Sequence, residues 1–298
     1  MDKNNLMTLT PKKYLNTNNY GITKKIILFT NARDELHIKE WAIYHRLIGF
    51  DIIVIFDHKS KLPLSKVFYG CEKQIKIIDV SNLDGPIKMR LMNVAKYIAN
   101  ALNMDWMIYL DADEFIVLNK FTNVKKLLNA YNYAHSLGIN WLMFGSNFLD
   151  NEPTELLIES YTKSKLNLDQ HVKTFVRPRE IINATNPHFY NIKTKNRMFG
   201  IDGKMLLSPE KNPSLTQFTF PSIPCYIAHY VTQSLETYLR RKSYPRDDTG
   251  TFRTIPDNIK DTHHTQYNDV NNYFIKNKYA KSIKMILDKN NLNITDIV

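Results

Sequence analysis

The stretch Met104-Asp-Trp-Met-Ile-Tyr-Leu-Asp-Ala-Asp-Glu-Phe-Ile-Val-Leu118 decides how this chain is read. An apolar run, Trp106 to Leu110, ends abruptly in Asp111 and Asp113, one residue apart, with Glu114 adjoining. Short, largely β-branched or aromatic, and bounded by polar residues, the run predicts a buried strand. Carboxylates at the end of such a strand lie where an open α/β sheet keeps its binding crevice. Three acids so close together repel one another unless a cation or a proton neutralises them. A hard divalent ion, Mn2+ or Mg2+, takes oxygen ligands and commonly shares them with substrate phosphates. The competing interpretation is a strand end whose acids simply face water.

Working outward, Ile26–Phe29 predicts one strand and Ile52–Phe56, closed by Asp57, another. Between them, Leu36, Trp41, His45 and Ile48 share one side of a helix that begins near Asp34 and stops at Gly49. This is a β-α-β unit with polar residues gathered at both strand ends. Ile75–Val80 predicts a third strand. Pro86 suits the first turn of a helix running to about Asn103 and burying Leu91, Val94, Ala95, Ile98 and Leu102. After the acid-tipped strand come a helix over Asn123–Ser136 and a strand Trp141–Phe144 that ends in Gly145-Ser-Asn147. The alternation predicts an α/β fold with a mainly parallel sheet flanked by helices on both faces. Residues 150–225 read as loops rich in Asn, Thr and Pro, and Asn271–Asp288 as an amphipathic helix. The expected organisation is a polar lead-in (1–23), a single domain (24–250) and a C-terminal helical tail (251–298).

Of the 298 residues, 43% are hydrophobic and 23% charged, the balance of an ordinary globular chain. Forty Lys and Arg against 29 Asp and Glu give a formal charge of +11, which points to a nucleic acid, a membrane surface or an anionic small molecule as partner. The basic residues are scattered and no nucleic-acid module accompanies them, so no nucleic-acid partner is expected. Met1–Thr10 lacks the apolar core of a signal peptide, and no run reaches membrane-spanning length. A cytoplasmic protein without a membrane span is expected. Cys71 and Cys225 lack metal-binding spacing and read as thiols in a reducing compartment.

Taken in order, several motifs resemble the GT-A glycosyltransferases of the family 2-like and family 92 (DUF23) group. They are Thr30-Asn-Ala-Arg-Asp-Glu35, Glu40-Trp41, Tyr44-His-Arg-Leu47, Gly49-Phe-Asp51, Phe56-Asp57, Tyr109-Leu-Asp-Ala-Asp-Glu-Phe115 and Ile227-Ala-His-Tyr-Val-Thr-Gln-Ser234. The resemblance spans roughly residues 22–245. It implies a GT-A (Rossmann-like) fold with a nucleotide-sugar-binding half (24–120) and an acceptor half (121–250). It also implies metal-dependent transfer, with inversion, from a nucleotide-diphosphate sugar, foremost a UDP-sugar, to a glycan or other hydroxyl acceptor. Asp113 is then the direct ligand of Mn2+ (or Mg2+), and His229 a further one. Asp111 acts through water or the donor's ribose, with Ala112 beside it on the donor.

Thr30, Asn31, Ala32 and Arg33, the turn after the first strand, receive the nucleotide at a helix N-terminus. By resemblance Glu35 lies near the ribose and Asp57 accepts a hydrogen bond from the base. Lys88 can reach phosphate, as can Arg90, or both face solvent. An inverting transferase needs a carboxylate within reach of the acceptor hydroxyl. Asp150 and Glu152, which follow the Gly-Ser-Asn strand end, are preferred for this role over Glu159 and Asp202. His188 and the basic segment Lys173–Arg179 are candidates to contact acceptor or diphosphate, and Trp141 and Phe144 read as core. Two other classes fit parts of the pattern. A phosphatase also places Asp-x-Asp after an apolar strand, with the first Asp as nucleophile, although Glu114-Phe115 departs from its usual continuation. The other is a non-catalytic nucleotide- or sugar-binding protein on the same scaffold.

Overall fold

Seven consecutive buried residues, Ile26–Ala32, form β1, near the middle of a nine-stranded sheet. The strand is apolar throughout because both of its faces are covered. Ile26 and Leu28 pack into one core with Trp41 and Ile55, whereas Ile27 and Phe29 pack into a second with Leu91 and Tyr109. The structure, a computed structural model, describes residues 21–71 and 73–289. The expectations for residues 1–20 and for the end of the tail lie outside the described residues.

The chain continues through α1 (Ile38–Leu47), β2 (Ile52–Asp57), α2 (Leu64–Val67), β3 (Ile75–Asp79), α3 (Lys88–Ala101), β4 (Trp106–Tyr109), β5 (Glu114–Leu118) and α4 (Val124–Ala130). Then follow β6 (Ser136–Met143), α5 (Leu157–Ser160), β7 (Lys163–Ser164), β8 (Val172–Val176), β9 (Ile181–Asn186), β10 (Phe189–Ile192) and β11 (Met198–Gly200). Last come β12 (Cys225–His229), α6 (Leu235–Lys242), α7 (Ile259–Thr262), β13 (Val270–Asn271) and α8 (Phe274–Lys289). The main sheet runs β3-β2-β1-β4-β8-β6-β12-β5, with β11 also on β6. Its β3-β2-β1-β4 portion is parallel, as expected. Beyond β4 the sheet is mixed, because β8 runs antiparallel to both β4 and β6, and β5 antiparallel to β12.

Four local expectations are corrected. The first helix starts at Ile38 rather than near Asp34, because Asp34 takes a left-handed φ of 51° that no helical turn accepts. It still stops as expected, at Gly49, whose φ of 106° ends the turn without a Cβ penalty. The helix after Asn123, capped by that side chain, ends at Ala130, and Ser136 opens β6 five residues before the expected strand. Helix α3 buries Leu91, Met92, Ala95 and Ala99, leaving Val94 and Leu102 exposed. Residues 150–225, read as loops, supply β8, all five of whose residues are buried at the centre of the sheet. The tail helix is present as α8, which buries Ile275, Tyr279, Ile283 and Leu287, a stripe at four-residue spacing. It packs on α1 through Tyr44 and Tyr279, whose rings lie 4.9 Å apart.

Candidate active site

The C-terminal ends of β1, β4, β6 and β12 open on a cleft of about 490 Å³. Asn31, Arg33 and Glu35 enter it from the turn after β1, and Lys88 from the start of α3. The β4–β5 turn contributes Asp111, Ala112 and Asp113. Trp141 on β6 and Lys173 on β8 form the floor, with His188 beyond them. Sheet register places the histidine. β12 pairs antiparallel with β5 so that His229 stands opposite Glu114, and its Nε2 comes to 3.8 Å from Asp113 Oδ2. The far wall is α6 and the segment after it, with Tyr238, Arg241, Tyr244, Asp247 and Arg253.

Protein cations neutralise the acid cluster. Asp111 accepts hydrogen bonds from Lys88 Nζ on one oxygen and from Lys173 Nζ, at 3.0 Å, on the other. Arg241 Nη2 lies 2.7 Å from Asp113 Oδ2. Burial works to raise the Asp113 carboxyl, but the charge and hydrogen bond of Arg241, together with His229 and a backbone hydrogen bond, outweigh it and hold the group at about 2. Glu114 is lifted by burial to about 7, against the pull of Lys173, whose Nζ stands 3.6 Å away. It accepts the Asp111 backbone N–H at 2.8 Å and so fixes the turn. Burial, with Lys173 adding repulsion, lowers Lys88 to about 8. Burial also pushes His229 down to about 4, so its imidazole is neutral at pH 7, the form that binds metal. Asp113 Oδ1 and His229 Nδ1 are buried without a hydrogen-bond partner. Among the described residues no group of three or more His, Cys, Asp or Glu side chains has metal-holding geometry.

The structure does not bring every expected site residue here. Thr30 and Ala32 point into the core and are fully or nearly fully buried. Asp57 lies outside the cleft lining, where its oxygens accept the backbone N–H groups of Ser60 (3.3 Å) and Leu64 (2.8 Å) and cap the loop into α2. Neither preferred base lines the cleft. After β6, Asn147 and Phe148 take left-handed φ values of 50° and 62° and turn the chain away. Asp150 is thereby carried to the surface, 3.1 Å from His264 Nε2. Glu152 sits behind α6, accepting from Ser234 Oγ at 2.8 Å and from Thr237 Oγ1, with His37 Nε2 at 2.7 Å from its other oxygen. Glu159 pairs with Lys284 at 2.6 Å, and Asp202 accepts from Ser214 Oγ at 2.6 Å, twelve residues along the chain. Arg90 donates to the Asp84 carbonyl at 3.1 Å, outside the cleft.

The contact between His37 and Glu152 has a pH signature. Burial disfavours the His37 cation, but hydrogen bonds to Glu152 and Glu40 outweigh it and lift the ring from 6.5 to about 9. A folded pKa above the unfolded one gives stabilisation that is complete below the unfolded value and is lost as pH rises through the folded one. The thermal midpoint is therefore expected to fall between pH 6.5 and about 9, by up to about 3 kcal/mol of stability. His37→Gln should flatten that slope in melts recorded across the range. An unchanged slope in the variant would remove His37 as its source.

Residues after Ser234 were not anticipated as cleft wall. The available signal was Arg240-Arg241-Lys242 in the last turn of α6, followed by Tyr244-Pro-Arg-Asp-Asp248. A basic last turn ordinarily complements the helix dipole, and that use concealed this one. Arg33 stacks on Tyr244 at 4.2 Å, and Asn31 donates to Asp247, tying this segment to the β1 turn.

The fold and site define an α/β protein with a strand-end cleft walled by an Asp-x-Asp turn and buried cations. In sequence the chain is similar to a glycosyltransferase family 92 protein of Ricinus communis, 28% identical over 155 residues, which is 50% of this chain and 27% of that protein. The match bears out the resemblance carried by the motifs; the chain spans about a quarter of that relative's length. No protein-family profile matches the chain. Among solved structures, S. aureus TarS is 15% identical, covering 70% of this chain and 37% of TarS, with a TM-score of 0.37. Mannosyltransferase PcManGT from Pyrobaculum calidifontis, in complex with GDP-Man and Mn2+, is 11% identical, covering 43% and 40% of the respective chains, with a TM-score of 0.29. Among the described residues no helix is long and apolar enough to cross a membrane.

Proposed function

We propose that this chain is a metal-dependent glycosyltransferase that moves a sugar from a nucleotide-diphosphate sugar, a UDP-sugar, to a glycan or other hydroxyl acceptor with inversion. The observation that supports this most directly is the corner formed by Asp113, His229 and Arg241. Asp113 is ionised and 3% exposed, and its Oδ1 has no hydrogen-bond partner. His229 is neutral beside it. Two such donors suit an ion whose remaining positions are filled by water and substrate phosphate, the usual way Mg2+ and Mn2+ are held at phosphate sites. Asp113 and His229 would hold the metal; Asp111 has both oxygens occupied by lysines and would act by fixing them. When bound, the metal supplies Lewis-acid stabilisation of the departing diphosphate.

The chain's own groups supply the rest. Lys88 and Lys173, both buried, present ammonium groups at the cleft floor, where their attraction for an anion is less screened than at an open surface. Asn31 and the stacked Arg33–Tyr244 pair bound the nucleotide end. Trp141 separates the two ends of the cleft, with the His229 ring 4.5 Å from its own and the His188 ring 5.0 Å away. A pyranose lying on that indole would have the metal corner on one side and His188 on the other.

The test is donor hydrolysis across a panel of UDP- and GDP-sugars with and without Mn2+. Slow Mn2+-dependent release of nucleoside diphosphate is expected. Release of inorganic phosphate would indicate a phosphatase instead, and binding without either product a non-catalytic protein. His229→Ala should weaken Mn2+ affinity in the presence of UDP by about tenfold or more, with little change in the melting temperature of the apo protein. A fall in stability with metal affinity unchanged would make His229 a packing residue.

A further inference from the structure

We infer that Arg241 is a stand-in cation: it neutralises Asp113 through Oδ2 while the donor is absent and passes to the diphosphate when metal and nucleotide arrive together. The inference rests on the metal-assisted transfer proposed above. A carboxylate 3% exposed cannot remain ionised without a close cation, and Arg241 Nη2, at 2.7 Å, is that cation. The same guanidinium lies 3.8 Å from Glu35 Oε1 through its Nε, so it bridges two acids of the cleft. Its side chain is 25% exposed, and a guanidinium has five N–H donors in a planar fork. Donors are therefore left over, in the geometry that grips a phosphate in bidentate fashion.

A divalent ion at Asp113 would meet this guanidinium at close range, in a site where like charges repel strongly. The two cannot comfortably share the carboxylate unless a multiply charged anion comes with the ion and draws the guanidinium away. The scaffold permits that exchange without rearrangement. Helix α6 is held at its start, where Ser234 caps it and Glu152 accepts from Ser234 and Thr237. It is held near its end by Arg240, which donates to the Asp34 carbonyl at 2.7 Å. Arg241 lies between the anchored helix and the open cleft, so a change of side-chain rotamer suffices. Two consequences follow. Mn2+ binds poorly before the nucleotide, and the negative charge left on the departing diphosphate is met by Arg241 as well as by the metal.

Calorimetric titration of the full chain with MnCl2, with UDP, and with both tests this without a transfer assay. Wild-type protein should take up Mn2+ weakly alone and much more tightly with UDP. Arg241→Gln should bind Mn2+ alone at least about tenfold more tightly, and bind UDP in the presence of Mn2+ at least about tenfold more weakly. Arg241→Lys, which keeps the charge but loses the fork, should leave Mn2+ affinity near that of wild type and weaken UDP by a smaller factor. An Arg241→Gln protein with unchanged affinity for Mn2+ alone would overturn the stand-in role, even where UDP binding is weakened. Should Arg241→Gln fail to fold, wild-type UDP affinity in Arg241→Lys would overturn it equally. A wild-type chain that binds no UDP with Mn2+ present would instead overturn the nucleotide-sugar proposal, and this inference with it.

Discussion

Asp113→Asn is expected to lower Mn2+-dependent release of nucleoside diphosphate by about three orders of magnitude or more while leaving the fold standing. The replacement has the same shape and can still accept from Arg241, and the backbone carbonyl at this position keeps its hydrogen bond from the Tyr230 N–H at 2.9 Å. What it loses is the charge. Without it, Arg241 loses its closest counter-charge while Lys88 and Lys173 remain at the cleft floor, and the corner no longer offers a divalent ion an anionic ligand. Product release with and without Mn2+, compared at a temperature where melting curves show both proteins folded, checks this. Normal turnover with an unchanged response to metal would remove Asp113 from the metal site.

Glu152→Ala should act in the opposite way, through stability. The carboxylate holds the N-terminus of α6 to the start of α1, through Ser234 and Thr237 on one side and His37 on the other. Its removal leaves the buried His37 without its main partner, with Glu40 Oε2 3.5 Å from the ring, and leaves Ser234 and Thr237 without their shared acceptor. Breaking a buried pair in this fashion costs about 3 kcal/mol or more, which lowers the denaturation midpoint clearly. Activity measured per folded molecule should fall only as far as α6 and Arg241 are displaced. A thousandfold loss of turnover with an unchanged denaturation midpoint would restore Glu152 as the base.

The parts of this molecule legible in its sequence are those fixed by neighbours in the chain. The β1–α1–β2 unit and the acid-tipped β4 announce themselves through short apolar runs closed by polar residues. The period of α8 is equally local. Asp111, Ala112 and Asp113 were placed by position alone, and His229 by the order of motifs, which turns out to reflect its pairing opposite Glu114. The remainder depends on distant partners. Strand β8 carries Lys173 and Thr174 within five residues, and only burial between β4 and β6 makes a strand of it. Helix α3 and its C-cap have apolar residues at 89, 91, 92, 94, 95, 98, 99, 101 and 102, enough for two faces, and contact with β1, β4 and β9 selects one. Asp150 and Glu152 were judged by distance from a strand end, but two left-handed residues set their direction. Asp57 stands where the resemblance put it in the chain, yet the loop it caps claims both oxygens.

The position of β8 bears on how the chain acquires its shape as it is made. Strand β4 is bordered on one side by β1 and on the other by a segment about seventy residues downstream, and that segment also links β4 to β6 in the main sheet. Until residue 176 has emerged, the growing sheet ends in a bare, apolar edge of the kind that recruits stray strands. Closure of the sheet then has to span a long loop, which makes it a late and slow event. The first 120 residues, although they carry the whole β-α-β pattern and the Asp-x-Asp turn, are therefore no autonomous module. In engineering or recombination, the stretch from β1 through β12 has to move as one piece, because the strand that joins its halves is threaded into the middle.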